Sequence, residues 1–124
     1  MTKSALEIVQ QYQQLMEGGN QAWTDLIADD VIFTGPAVGE VRGKSAVIDL
    51  NNGFLPLIRG YEPVSAFGQE KLALLEGVFT VVAPSGKEIS FDIAEIYEVV
   101  NGKISAIRIY YDAEEFRKEF DQPS

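Results

Sequence analysis

The sequence predicts an α+β fold, with helices gathered toward the N-terminus and long strands behind them. Three observations carry this. Residues 4–17 and 45–57 repeat apolar side chains at steps of three and four, the apolar side chains alternate from Tyr61 onward, and Pro84-Ser85-Gly86-Lys87 and Asn101-Gly102 are hairpin signals in the second half. Helices first and strands after is the segregated order of α+β domains.

Ser4-Ala5-Leu6-Glu7 is a capping-box pattern, and Ala5, Ile8, Val9, Tyr12, Leu15 and Met16 follow it at helical spacing. A first helix is therefore expected to run to about Glu17. Gly18-Gly19 ends it, and Asn20 can cap a short second helix holding Trp23, Leu26 and Ile27. Asp29-Asp30 reads as the solvated run-in to a strand, Val31-Ile32-Phe33-Thr34, that stops at Gly35-Pro36. A short strand is expected over Gly39–Arg42. Ser45 is placed as the cap of a third helix, with Val47, Leu50, Phe54 and Leu57 on its apolar side. Strands then follow over Tyr61–Gln69, Leu72–Ala83, Ile89–Val100 and Lys103–Tyr111, the last three as an antiparallel meander. Asp112 caps a final helix, Ala113–Phe120, in a second box with Glu115. A single domain over 1–120 is expected, with 121–124 as a disordered tail.

Composition bounds the function. The chain has 124 residues, enough for one domain and a core with room for a small cavity. With 19 acidic against 10 basic residues, the net charge of −9 argues against a nucleic-acid surface and against an anionic membrane as partners. Cysteine is absent, which removes disulfides, a thiol nucleophile and thiolate metal ligands. Histidine is absent too, and with it the commonest general base and the usual zinc ligand. Acid–base chemistry must use carboxylates, Tyr or Lys. Gly43-Lys44-Ser45 lacks the earlier glycine of a phosphate loop and reads as a helix start. The N-terminus is broken by Glu7 and several glutamines, so neither a signal peptide nor a spanning segment is expected there, and a cytoplasmic location is the default. Glu114, Glu115, Lys118 and Glu119 read as a solvated helix face.

Glu95 breaks the pattern around it. In SFDIAEIYEVV, alternation puts Phe91, Ile93, Glu95, Tyr97 and Val99 on one face, and that face is otherwise apolar. A carboxylate among apolar side chains is costly unless it is hydrogen-bonded or protonated, so Glu95 marks a candidate site. The plainer alternative is a carboxyl at a pocket rim or one that caps a backbone donor.

Several segments, in order, resemble the SnoaL-like and ketosteroid-isomerase-like proteins of the nuclear transport factor two-like superfamily. They are Ile8-Val9-Gln10-Gln11-Tyr12, the Trp23 helix running into Asp29-Asp30-Val31, Val41-Arg42-Gly43-Lys44-Ser45-Ala46-Val47, and Asn101-Gly102-Lys103-Ile104 with Ile107-Arg108-Ile109-Tyr110-Tyr111-Asp112. The resemblance implies a cone-shaped curved antiparallel sheet wrapped around the N-terminal helices, a cystatin-like α+β barrel with a short C-terminal helix. It implies an apolar pocket inside the cone and often a homodimer through the outer face of the sheet. In ketosteroid isomerases a Tyr on the first helix and a protonated Asp on the sheet form the oxyanion hole, and a second Asp moves the proton. The resemblance places Tyr12 and Glu95 at the first two positions. The proton-moving Asp falls on Gly35, which cannot abstract a proton.

Relatives of other activities leave similar gaps. An epoxide hydrolase of the limonene type needs two Asp and an Arg, where this strand offers Glu95 and Ile93 and the last strand offers Ile107, Ile109 and Tyr111. Scytalone-dehydratase-like sites use His. A SnoaL-type cyclase needs an acid for a carbonyl, which suits a Glu95 whose pKa is raised by burial. The expected catalytic pair is thus Glu95 and Tyr12. Met16, Trp23, Phe33, Leu50, Phe54, Phe79, Tyr97, Ile107 and Tyr111 are the expected pocket residues, with Trp23 at its mouth; these aromatic side chains either line the cone or fill it. The expected ligand is a small apolar molecule with a carbonyl, hydroxyl or epoxide oxygen, bound without metal or organic cofactor. The alternative is a non-catalytic binding or interaction domain. Ala94, Ile96, Ile104 and Ala106, opposite Glu95, are expected to be covered in a homodimer.

Overall fold

A computed structural model describes residues 3–120 of the chain. Helix α1 spans Ala5–Glu17 and opens with the expected box: the Ser4 side chain accepts from the Glu7 amide, and the Glu7 side chain accepts from the Ser4 amide. A cap of this kind is worth about 1 kcal/mol. Ala5, Ile8, Val9 and Tyr12 form its buried stripe. A 3-10 turn follows over Gln21–Leu26, capped by the Asn20 side chain at the Ala22 amide.

Six strands form one sheet: β1 (Ile27–Gly35), β2 (Gly39–Arg42), β3 (Ile58–Gln69), β4 (Leu72–Val82), β5 (Glu88–Val100) and β6 (Lys103–Tyr110), in the order β2-β1-β6-β5-β4-β3. The sheet curls without closing, so β2 and β3 are its edges and no barrel is completed. Helix α2 (Lys44–Phe54) crosses from β2 toward β3, and α3 (Ala113–Phe120) ends the described chain. Asp112 Oδ1 accepts from the Glu114 amide, as expected of a cap. The Glu115 side chain of the expected second box and the tail 121–124 lie outside the described residues.

Four details differ from the sequence reading. The sheet is not wholly antiparallel, because β1 and β6 run parallel. Their directions are fixed separately, β6 by its hairpin to β5 and β1 by its hairpin to β2. Second, β1 begins at Ile27, and Asp29-Asp30 lies inside it where the register with β6 shifts between Ile27 and Ile32. A bulged stretch turns both carboxylates to solvent without ending the strand. Third, α2 is capped by Gly43, at φ 95°, with no side-chain cap; Ser45 lies exposed in the first turn. Fourth, Ile104 belongs to the core and not to the outer face. Between β5 and β6, Glu98 faces Ala106 while Val99 faces Ile104, so Ser105 is the extra residue of a bulge and its hydroxyl donates to the Glu98 carbonyl. That bulge turns both Ile104 and Ile107 inward, each almost fully buried.

The main core joins α1, Trp23, Ile27, Val31, Val47, Tyr97, Ile104 and Ile107. Each of these large apolar side chains contributes roughly 1.5–3 kcal/mol by leaving water. A smaller cluster of Val81, Ala83 and Ile89 holds Phe54, Ile58 and Phe91. Asn101 and Gly102, both at positive φ, close the β5–β6 hairpin in the manner of the Asn-Gly turns that match strand twist.

Candidate functional site

The curl of the sheet against α1 and α2 leaves a cavity of about 510 Å³, a size typical of small-molecule sites. Side chains from both apolar clusters reach it. Tyr12 and Met16 come from α1, Phe33 from β1, Leu50 and Phe54 from α2, Phe79 from β4, Glu95 and Tyr97 from β5, and Ile107 and Tyr111 from β6 and its end. The rings therefore line the cone and do not fill it.

Trp23 is the exception. It is fully buried in the core, with its ring edge-on to Tyr12 at 5.9 Å, and is absent from the cavity wall and its mouth. The 3-10 turn carries it inward against α1, where a large ring gains more from burial than at a rim. The wall also includes Gln13, Gly35, Asn51, Ile58, Arg59, Tyr61, Ile93 and Ile109. Ile93 and Ile109 are legible from the alternation of β5 and β6. Asn51 had a signal as well: it stands four residues after Val47, a polar side chain on the inward side of α2. Gln13, Ile58, Arg59 and Tyr61 depend on how α1 and the edge strand β3 meet.

Glu95 is the one polar or charged side chain in the buried class among the described residues. The strand dictates this, since Ile93, Glu95 and Tyr97 share one inward face and are all buried. Its hydrogen-bond partner is not Tyr12, the residue expected to act with it. Tyr97, two residues along the same face, donates its hydroxyl to Glu95 Oε2 at 2.7 Å. Tyr12 makes no bond to the carboxyl; its Oη accepts from Asn51 Nδ2 at 3.5 Å, the long limit of such contacts. The rings of Tyr12 and Tyr97 meet edge to face at 6.0 Å.

Burial raises the Glu95 carboxyl to about 7, and the Tyr97 bond opposes this only in part. The same burial, followed by the nearby Glu95 charge, pushes the Tyr12 and Tyr97 hydroxyls upward, so both stay protonated donors. The second oxygen, Glu95 Oε1, is buried with no hydrogen-bond partner; Trp23 Nε1 is the other such side-chain atom among the described residues. With Oε2 occupied by the Tyr97 donor, a proton on the carboxyl resides on Oε1. Turned toward the cavity it lines, this carboxyl can donate a proton to an oxygen there, or accept one when ionised.

The other carboxylate on the wall is Glu17, solvent-exposed at the end of α1. Gly35 does line the cavity, and a side-chain carbon added there would stand 2.9 Å from Ile109 Cγ1. Among the described residues no three His, Cys, Asp or Glu side chains are grouped to hold a metal ion. No helix there is long and apolar enough to cross a membrane.

Comparison with known proteins agrees with this architecture. The family model described as SnoaL-like domain matches residues 8–107. No curated protein matches the chain. Among solved structures, a protein from Kribbella flavida is 25% identical with a TM-score of 0.82, over 94% of this chain and 93% of that one. An NTF2-like protein of unknown function from Burkholderia pseudomallei is 15% identical with a TM-score of 0.83, over 98% of this chain and 100% of its own. TerC, co-crystallised with polyporic acid, is 13% identical with a TM-score of 0.80, over 95% of this chain and 98% of its own. At such identities the last two speak for the fold alone.

Proposed function

The chain belongs to the SnoaL-like domain family, and from that premise we propose that it binds a small apolar molecule through one carbonyl, hydroxyl or epoxide oxygen. The observation that carries this is Glu95 itself, a buried carboxyl on the lining of an otherwise largely apolar cavity, one of whose oxygens, Oε1, has no hydrogen-bond partner. An unsatisfied buried carboxyl oxygen costs about 1–3 kcal/mol, and a turn of the carboxyl that brings this oxygen to a ligand oxygen in the cavity recovers much of it. The structure of TerC with polyporic acid supports the reading, since a protein of similar fold has been crystallised with a small molecule.

In catalysis, Glu95 is the general acid. Its Oε1–H is given to a carbonyl or epoxide oxygen as charge develops there, while Tyr97 holds Oε2 and steadies the carboxylate left behind. Tyr12, kept protonated, is a second donor on the same wall. The reaction classes compatible with this are isomerisation, cyclisation, dehydration and hydrolysis. A second reading, binding without turnover, is favoured by Gly35 at the position of the proton-moving Asp and by the solvent exposure of Glu17, the other carboxylate on the wall.

The proposal extends to a homodimer in which Ala94, Ile96 and Ala106, part-buried on the outer face, are covered by a second copy beside Tyr110, which is 54% exposed.

Titration with a steroid or terpene ketone, followed by amide chemical shifts, tests the pocket. Saturable shifts at Glu95, Tyr97 and Ile107 are expected, with affinity lowered about tenfold in Glu95→Leu, the worth of one such hydrogen bond. Absence of saturable shifts on the cavity wall, or equal affinity in the variant, would contradict it.

A further inference from the structure

One wall of the cavity is a row of rings. Tyr61, Phe79 and Phe91 are direct cross-strand partners on β3, β4 and β5, and Tyr111 continues the row just after β6. Successive centroids are 4.7, 6.3 and 5.0 Å apart, with the rings tilted by 50°, 32° and 35°. All four line the cavity. Each keeps part of its surface exposed, whereas Ile93, Tyr97 and Ile107 on the same wall are buried. Gly77 is part of this construction. A side-chain carbon there would come within 2.5 Å of the Tyr61 ring, so the glycine leaves the notch in which that ring lies.

An aromatic face attracts another ring in offset or edge contact beyond what buried area alone supplies. A saturated ligand fills the same space without that gain. The distance to the acid then sets a length: Phe91 and Glu95 lie four residues apart on one face of β5, about 13 Å along the strand. Ile93, between them, presents only aliphatic surface.

Resting on the reading of Glu95 as the oxygen-binding group, we infer that the ligand is elongated, with an oxygen function at one end held by Glu95 and an aryl ring at the other held against Phe79 and Phe91. Aliphatic terpenoids and fully saturated polycycles still enter this cavity but bind it more weakly than an aryl ligand of the same length.

Two ketones of one carbon skeleton test it by isothermal titration: 4-phenylcyclohexanone and 4-cyclohexylcyclohexanone. They offer Glu95 the same carbonyl and differ only in the distal ring. A merely greasy cavity prefers the more hydrophobic cyclohexyl compound, so a preference for phenyl is diagnostic. The phenyl ketone is expected to bind roughly three- to tenfold tighter, the range of one ring–ring contact. Phe91→Leu, with Phe79→Leu as the second variant should the first fold poorly, is expected to bring the ratio near one while both ketones still bind.

Equal binding, a preference for the saturated ketone, or a phenyl preference untouched by both variants overturns the inference. The pocket reading survives those results provided that both ketones weaken in Glu95→Leu. Binding of neither ketone overturns both.

Discussion

Tyr97 and Glu95 are joined on the inner face of one strand: the Tyr97 hydroxyl donates to Glu95 Oε2 at 2.7 Å, and Oε1 is left buried and unpartnered. Side chains two apart on a strand point the same way, so β5 alone supplies both the acid and the group that orients it. The first helix, from which a tyrosine partner was expected, contributes Tyr12 as a neighbour only.

This geometry predicts an unusual pH dependence of stability. Glu95 is raised in the fold from its ordinary 4.5 to about 7, so between these values the folded state holds a proton that the unfolded state has released. Stability should then be full below about pH 4.5, fall as pH rises toward 7, and level off above, a loss on the order of 3 kcal/mol. Glu7 and Glu98, both lowered, act in the opposite sense and only at more acidic pH. Urea unfolding at pH 5, 6, 7 and 8 should show the decline in the natural protein and a nearly flat profile in Glu95→Gln. A rise in stability over that range would contradict the burial of an unpaired acid.

Tyr97→Phe removes the donor and keeps the ring. The Tyr97 bond lowers the Glu95 pKa, so its loss should raise that pKa further. The stability cost should be about 1.5–3 kcal/mol at pH 8, where the lost bond is to a charged carboxylate, and about 0.5–1.5 kcal/mol at pH 5, where it is neutral. A cost independent of pH would mean that the hydroxyl serves something other than Glu95.

Much of this was legible in the sequence, for physical reasons that also mark where it ended. The Ser4–Glu7 box, the glycine stops and the two hairpin turns are local chemistry, and the helices and strands they bound fall within a few residues of expectation. Glu95 stood out because one charged residue interrupts a period-two apolar face. Its partner did not. The choice between Tyr12 and Tyr97 depends on where α1 crosses the sheet, which no local pattern encodes. Ile104 was misplaced for a related reason: a bulge at Ser105 shifts the alternation by one, and a single serine in a strand gives no warning. The parallel pairing of β1 with β6 joins segments from opposite ends of the chain. Trp23 was expected at the pocket mouth, and its packing against Tyr12 puts it in the core instead.

No appreciable isomerisation of a β,γ-unsaturated ketosteroid is expected, because Gly35 offers no base on the cavity wall. Absorbance of the conjugated enone is the assay, and turnover well above the solution rate would show that another group moves the proton. Gly35→Asp is the corresponding gain-of-function trial. Its side-chain carbon would meet Ile109 Cγ1 at 2.9 Å, so the variant alone should lose about 1–3 kcal/mol from overpacking, and Ile109→Ala should relieve part of that loss.

A homodimer is expected at micromolar concentration, through the face that carries Ala94, Ile96 and Ala106. Sedimentation velocity measures it directly, and Ile96→Lys should shift the population to monomer. A natural protein already monomeric under those conditions would leave that face without its proposed cover.

NMR titration of the labelled Glu95 side-chain carboxyl tests the buried acid most directly. A pKa near 7 is expected in the free protein, displaced when a ketone ligand occupies the cavity and takes its hydrogen bond from Glu95. A pKa at or below the ordinary carboxyl value of 4.5 would mean that Glu95 is solvated or ion-paired, and would remove the acid from the proposed site.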